Sequence, residues 1–208
     1  MQNKKINPVM LFIKESWLLI VCSFVFGLLL AAINAAWQPR IEQNKIGNIS
    51  DALKTVIPQA KNFERIWSDE QITLDESGKA QKVELFKATA SGKTVGWAYT
   101  SVGPGYADKI ELMIAVDANF EKILAYKVLF SNETSGFGDK IKNDYYKDQF
   151  KGAPADELEL LKLGDETVID DKIIAISGAT ISSEAVVSIF NTYNTTIKAV
   201  MKEKGLLK

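Results

Sequence analysis

Near the start of the chain, 21 residues pass without a charge: WLLIVCSFVFGLLLAAINAAW, Trp17 to Trp37. A helix rises about 1.5 Å per residue, so this run reaches across roughly 30 Å, the hydrocarbon thickness of a bilayer. Tryptophan at both ends fits the interfacial aromatic belt. Lys4, Lys5 and Lys14 stand against Glu15 on one side, and Arg40 is followed by Glu42 on the other. This basic bias predicts a cytoplasmic N-terminus and an extracytoplasmic remainder. A cleaved signal peptide is the competing reading, with small residues around Ala31 to Ala36 as a cleavage site. The apolar run exceeds the roughly 7–15 residues of a signal core, which favours an uncleaved anchor. Gly27, Ala31 and Ala35 share one helical face and would allow close packing on another membrane helix; ordinary lipid-facing small residues explain them equally.

Composition narrows the chemistry open to the rest of the chain. The 208 residues suit one globular domain with appendages, and the net charge of −1 carries no electrostatic footprint for nucleic acid. The chain has no histidine, which removes Ser-His-Asp catalysis and histidine ligation of metal or haem. Its single cysteine, Cys22, cannot hold an iron–sulfur cluster or close an internal disulfide. Redox work in such a chain needs an organic cofactor.

Beyond the anchor, Ile41 to Val56 reads as a continuing helix with Ile46, Ile49, Leu53 and Val56 on one stripe, ended by Pro58. Residues 59–80 give no clear element. VELFKATA and TVGWAYTS around Ser91-Gly92-Lys93 predict one hairpin, and IELMIAV and KILAYKVLF around Asp117-Ala118-Asn119 a second. Gly103-Pro104-Gly105 is a turn, and Asn143 to Phe150 a short helix. Val168 to Ile176 reads as a strand. From Val186 to Met201 apolar residues fall at steps of three or four, an amphipathic helix of about five turns that closes near Gly205. The expected class is α+β: antiparallel hairpins packed with helices behind one transmembrane helix. The expected divisions are an N-terminus at 1–16, the membrane helix at 17–37, a connector at 38–80 and a ligand-binding domain at 81–208.

Two short stretches carry the chemistry. AISGATISSEAV, Ala175 to Val186, places Ser177, Gly178, Ala179 and Thr180 between a strand and a helix. Free N–H groups and the positive end of the helix dipole make such a junction an anion site, and small side chains leave room for a bulky anion. A plain N-cap by Ser177, Thr180 or Ser182 accounts for the same residues. The loop Glu133-Thr134-Ser135-Gly136-Phe137-Gly138-Asp139-Lys140 comes directly after a strong strand. Its glycines can lay backbone against a flat ligand beside Phe137. A glycine-rich surface turn is the alternative.

Taken in order, the anchor, the Gly105-Tyr106 turn, ETSGFGDKI from Glu133 to Ile141, QFKG from Gln149 to Gly152 and ISGATISS from Ile176 to Ser183 resemble the G subunit of the Rnf electron-transport complexes. The C subunit of sodium-translocating NADH:quinone oxidoreductases is a relative of that family. The resemblance covers nearly the whole chain. It implies FMN bound through a phosphoester to the threonine that ends SGAT, here Thr180, by a flavin transferase that takes FMN from FAD. Ser177, Gly178, Ala179 and Ser182 would surround the phosphate. Glu133, Thr134, Gly136, Phe137 and Gly138, with Tyr106, would lie against the flavin. It further implies an electron carrier without a substrate site, a catalytic residue or a metal of its own. That carrier would belong to an ion-pumping complex in the cell membrane that moves electrons between reduced ferredoxin and NAD⁺, and would assemble with integral-membrane subunits. Two departures stand out. Ser131 and Ser135 occupy places where the family carries histidine and proline, and the GY turn continues as Ala107-Asp108. The rival readings are an FMN domain of another membrane redox or regulatory protein, and a non-redox anchored binding protein with SGAT as a helix cap.

Overall fold

The computed structural model describes residues 8–73 and 80–207. Lys4 and Lys5 of the basic flank lie outside the described residues. The chain divides into two compact units, Met1–Gly47 and Asn48–Lys208. Helix α1, Pro8–Val56, begins in the first and ends in the second. Its segment Glu15–Arg40 is long and apolar enough to cross a membrane, and none of its residues is buried by protein.

In the second unit, strands β1 (Asn62–Thr73), β2 (Ala80–Ala90), β3 (Lys93–Pro104), β4 (Lys109–Asp117) and β5 (Ile123–Ser131) form an antiparallel sheet in sequence order. The two hairpins expected from the sequence are β2–β3 and β4–β5. Strand β1 adds an edge that the sequence left unassigned. Its pairing with β2 shifts between Arg65 and Trp67 and again between Trp67 and Glu70, so the side-chain period of two is broken.

Alternation on β2, β3 and β4 feeds two cores. Leu85, Trp97, Tyr99, Leu112, Ile114 and Val116 face one side. Phe86, Ala88, Ala98, Met113 and Ala115 face the other, where they meet Ile49, Ala52, Leu53, Val56 and Ile57. The second face is lined with alanine because a helix must approach it closely. At Gly96 a β-carbon would stand 2.5 Å from the Val116 carbonyl and 3.3 Å from Ile57. Ile46 belongs to the stripe expected on this helix, but it is 61% exposed, so the buried stripe starts at Ile49.

The first face is covered by a 3-10 turn (Gly138–Lys142), α2 (Asp144–Asp148) and α3 (Thr180–Glu203). Val186, Ile189, Phe190, Tyr193, Ile197 and Met201 of α3 are buried, and the chain turns off at Gly205 with φ +68°. Between α2 and α3, β6 (Glu159–Leu161) and β7 (Lys172–Ile174) form a small parallel pair. The strand expected from Val168 to Ile176 is therefore cut to three residues. Before it the chain turns on Asp165, whose carboxylate accepts from Thr167 N at 2.9 Å and whose carbonyl accepts from Val168 N at 3.3 Å. Local Asp bonds of this kind compete with a sheet ladder.

Candidate functional site

The C-terminal ends of β3 and β5 lie at the same end of the sheet, because Gly103 pairs with Ile110 and Ile110 with Ser131. The turn after β3 and the loop after β5 therefore emerge side by side, and β7 delivers the start of α3 to the same place. A cleft of about 500 Å³ opens between them, lined by Tyr106, Thr134, Phe137, Gly138, Gly178, Ala179, Thr180, Ile181 and Ser182. Beyond Tyr106 and Ile181 a wider groove of about 1270 Å³ continues along α3 past Gly103, Ala185 and Ile189.

Two turns of the same construction face each other across the cleft. In Thr134-Ser135-Gly136-Phe137, the Phe137 N–H donates to the Thr134 carbonyl at 3.2 Å. In Ile176-Ser177-Gly178-Ala179, the Ala179 N–H donates to the Ile176 carbonyl at 2.9 Å. Gly136 and Gly178 both have φ +78°, the value a type II turn requires at its third residue. At Gly178 a β-carbon would also come within 3.2 Å of the Phe137 ring.

The start of α3 carries no side-chain cap: its N-cap is Ala179. The plain N-cap reading of Ser177, Thr180 or Ser182 does not hold. Each of those hydroxyls would have to accept from the first turn, and two of them lie inside or beyond the cap position. Ser182 instead donates its hydroxyl to Glu133 Oε2, and its neighbour Ser183 donates to the Ala179 carbonyl at 3.0 Å. The first N–H groups of a helix have no intrahelical acceptor. Here they remain available to an anion beside half-buried Thr180.

Glu133 is 7% exposed and lies behind the cleft wall rather than on it. Its Oε1 accepts from Ala107 N at 3.0 Å, so one carboxylate ties the β3–β4 turn to the start of α3. Gly138 makes this possible, since a β-carbon there would stand 2.5 Å from Ser182 Oγ and 2.8 Å from Glu133 Oε2. The departures from the family pattern are used in the same framework. Asp108 accepts from Lys109 N at 2.7 Å and from Asn132 Nδ2 at 3.0 Å, which together hold its carboxyl below the usual range. Ser131 Oγ accepts from Glu133 N at 3.3 Å, while Ser135 is exposed at the turn tip.

Of the residues singled out in the sequence, the cleft brings together Thr180, Gly178, Ala179, Ser182, Thr134, Phe137, Gly138 and Tyr106. Ser177 and Gly136 occupy the turns but not its lining. Tyr106, Phe137 and Ile181 are exposed by 64%, 53% and 56%, an open apolar and aromatic rim around Thr180. Ile181 was missed; its signal is an isoleucine off the buried stripe of α3. Three supports were also missed. Ser183 Oγ accepts from Ile176 N at 3.0 Å, Tyr146 donates to the Ser183 carbonyl at 3.3 Å, and Gln149 bonds both backbone groups of Ile174. Ser183 and Gln149 lie in the ISGATISS and QFKG stretches, but their partners are distant in sequence.

Residues 105–193, which contain the whole lining of the cleft, match the FMN-binding domain family. The fold is similar to that of a crystal structure of NqrC from Shewanella oneidensis, with a TM-score of 0.55 at 22% identity over 70% of this chain and 73% of the other. Among curated proteins, the G subunit of the ion-translocating oxidoreductase complex of Methanosarcina acetivorans is 29% identical over 84% of this chain and 88% of its own length. The G subunit of the Na⁺-translocating ferredoxin:NAD⁺ oxidoreductase complex of Acetobacterium woodii is 31% identical, covering 86% of this chain and 87% of its own. With that identity carried over most of both chains, this protein belongs to the family of G subunits of ion-translocating oxidoreductase complexes.

Proposed function

We propose that this chain is a membrane-anchored electron carrier whose FMN is esterified to Thr180, and that it serves an ion-pumping complex passing electrons between reduced ferredoxin and NAD⁺. The relatives named above for such complexes support the wider reading. The observation that carries the site is the uncapped start of α3 at Thr180, opposed by the Phe137 turn.

The residues fit FMN. The free N–H groups of α3 suit a phosphodiester, and Tyr106, Phe137 and Ile181 offer exposed flat and apolar surface to a ring system. When bound, FMN supplies the one- and two-electron chemistry that no side chain here provides. The protein's part is to tether, orient and shield. Gly178 keeps the approach to Thr180 open, and the Glu133 carboxylate holds the three cleft segments in register.

Attachment needs a second protein. The described lining residues include no carboxylate, amine or imidazole to take the threonine proton. In the transfer, Thr180 Oγ1 attacks the FMN-side phosphorus of FAD. A P–O bond to Thr180 forms as the pyrophosphate bond breaks, AMP leaves, and the proton passes to a base of the flavin transferase. The domain boundaries read from the sequence, a single membrane crossing with the N-terminus inside, and an extracytoplasmic flavin complete the proposal.

The decisive experiment expresses wild type and Thr180→Ala with the transferase. Wild type should fluoresce in a denaturing gel, and its peptide should carry FMN with loss of water. Thr180→Ala should be folded and dark. A fluorescent Thr180→Ala band overturns the assignment, and flavinylation of wild type in a host without transferase overturns the need for one.

A further inference from the structure

The crossover between β6 and β7 runs KLGDETVIDD, Lys162 to Asp171, without a helix. Leu163 is 88% exposed, Val168 50% and Ile169 47%. Yet the loop has defined internal structure. Asp165 accepts from both Thr167 N and Thr167 Oγ1, at 2.9 and 2.6 Å, and Asp170 from Lys172 N at 2.8 Å. Gly164 lies so close over Ile174 that a β-carbon would collide with it. Ile169 sits over Gly152, whose β-carbon position is 3.6 Å from its Cγ2.

The crossover is acidic on balance. Asp165, Glu166, Asp170 and Asp171 interleave with the aliphatics, while the lysines, Lys162 and Lys172, stand only at its two ends. Tyr145, 44% exposed, has its phenol raised by partial burial and then by the carboxylates Glu166 and Asp139. At the other end, Ala175 N donates to the Leu161 carbonyl at 2.7 Å, so the crossover leaves β6 beside the turn that carries Thr180.

Exposed aliphatic side chains grouped in one ordered loop suit an interaction surface. The acidic rim selects the occupant. Anionic lipid headgroups would be repelled, and a second copy meeting this patch symmetrically would oppose acid with acid. We infer that the 162–171 crossover is the docking surface for another subunit of the same complex, one that presents an apolar patch ringed by lysine or arginine. This rests on the functional reading above, and it places that subunit beside the flavin-bearing turn.

The test uses the full-length tagged chain, purified with its complex in mild detergent. The triple variant Leu163→Ser, Val168→Ser, Ile169→Ser should keep its melting transition and in-gel flavin fluorescence but retain about tenfold less of the other subunits. Asp165→Lys with Glu166→Lys should weaken retention similarly, and decides the matter if the triple variant does not fold. A photo-reactive residue replacing Leu163 should crosslink to one other subunit. Undiminished co-purification of the folded variants, or crosslinks only to lipid or a second copy, overturns the inference and leaves the functional reading standing. A wild-type chain that retains no other subunit overturns both.

Discussion

At Gly178 a β-carbon is opposed twice, by φ +78° and by the Phe137 ring at 3.2 Å. At Gly136 the same φ applies, but the side-chain direction is open. Gly138 has no unusual φ and is instead hemmed in by Ser182 and Glu133. These positions should therefore separate on substitution. Gly136→Ala should cost about 1 kcal/mol, the penalty of a left-handed residue. Gly138→Ala should cost about 1–3 kcal/mol through overpacking and should loosen the start of α3, both read from denaturant unfolding. Glu133→Gln tests the carboxylate differently. It keeps an acceptor for Ala107 N and removes a negative charge from beside the cleft. The flavin midpoint potential should rise, because the reduced, more electron-rich ring is then less opposed. An unchanged potential with intact folding would make Glu133 a structural tie alone.

The elements around the cleft are joined by side chains that substitute for backbone. Strand β7 is three residues long and cannot hold its place by ladder bonds alone. Gln149 adds a surrogate strand edge: its Oε1 accepts from Ile174 N at 2.7 Å and its Nε2 donates to the Ile174 carbonyl at 3.3 Å. Gln149 is 2% exposed, so Gln149→Ala would leave two buried backbone groups unpaired. A loss of about 1–3 kcal/mol for each unpaired group is expected, with flavin incorporation falling as the SGAT turn loses its footing. Ser183→Ala should show the same pattern, since Ser183 accepts from Ile176 N at the other side of that turn. Normal flavin incorporation in both variants would show that the turn is held by its own hydrogen bond.

For the whole domain, the packing of three tyrosines sets a response to base. Burial pushes the phenols of Tyr99, Tyr126 and Tyr146 above their ordinary value of about 10. Tyr126 donates to the Ile141 carbonyl at 2.7 Å, and Tyr99 to Asn194 Oδ1. The folded state holds these protons more tightly than the unfolded chain does. Their stabilisation is therefore complete below pH ~10 and lost as pH climbs toward the raised folded values. Phenolate absorbance from these residues should appear only together with loss of circular dichroism; separate titration would mean that the phenols reach solvent in the folded state. Topology belongs to the same scale. In a Cys22→Ser background, a cysteine at exposed Lys61 should react with an impermeant thiol reagent in intact cells. Labelling only after lysis would put the domain in the cytoplasm and end the extracytoplasmic reading.

Locally encoded features were legible in the sequence. The anchor is a matter of length and polarity between Trp17 and Trp37. Alternation in β2 to β4 and the stripe of α3 come from the period of each element. The Ser177–Thr180 junction is a contiguous motif whose small residues read directly as a tight turn. What tertiary structure alone decided is non-local. Strand β1 hid behind its bulges, and the expected strand at Val168 was shortened because the Val168 N–H closes a turn on the Asp165 carbonyl instead of joining a ladder. The stripe on α1 lost Ile46 because burial depends on what covers a helix, which periodicity does not encode. The opposition of the Gly136 and Gly178 turns, and the ties through Glu133, Gln149 and Ser183, join residues far apart in the chain. Their partners are chosen by the fold that the hydrophobic pattern assembles, so no local pattern could have announced them.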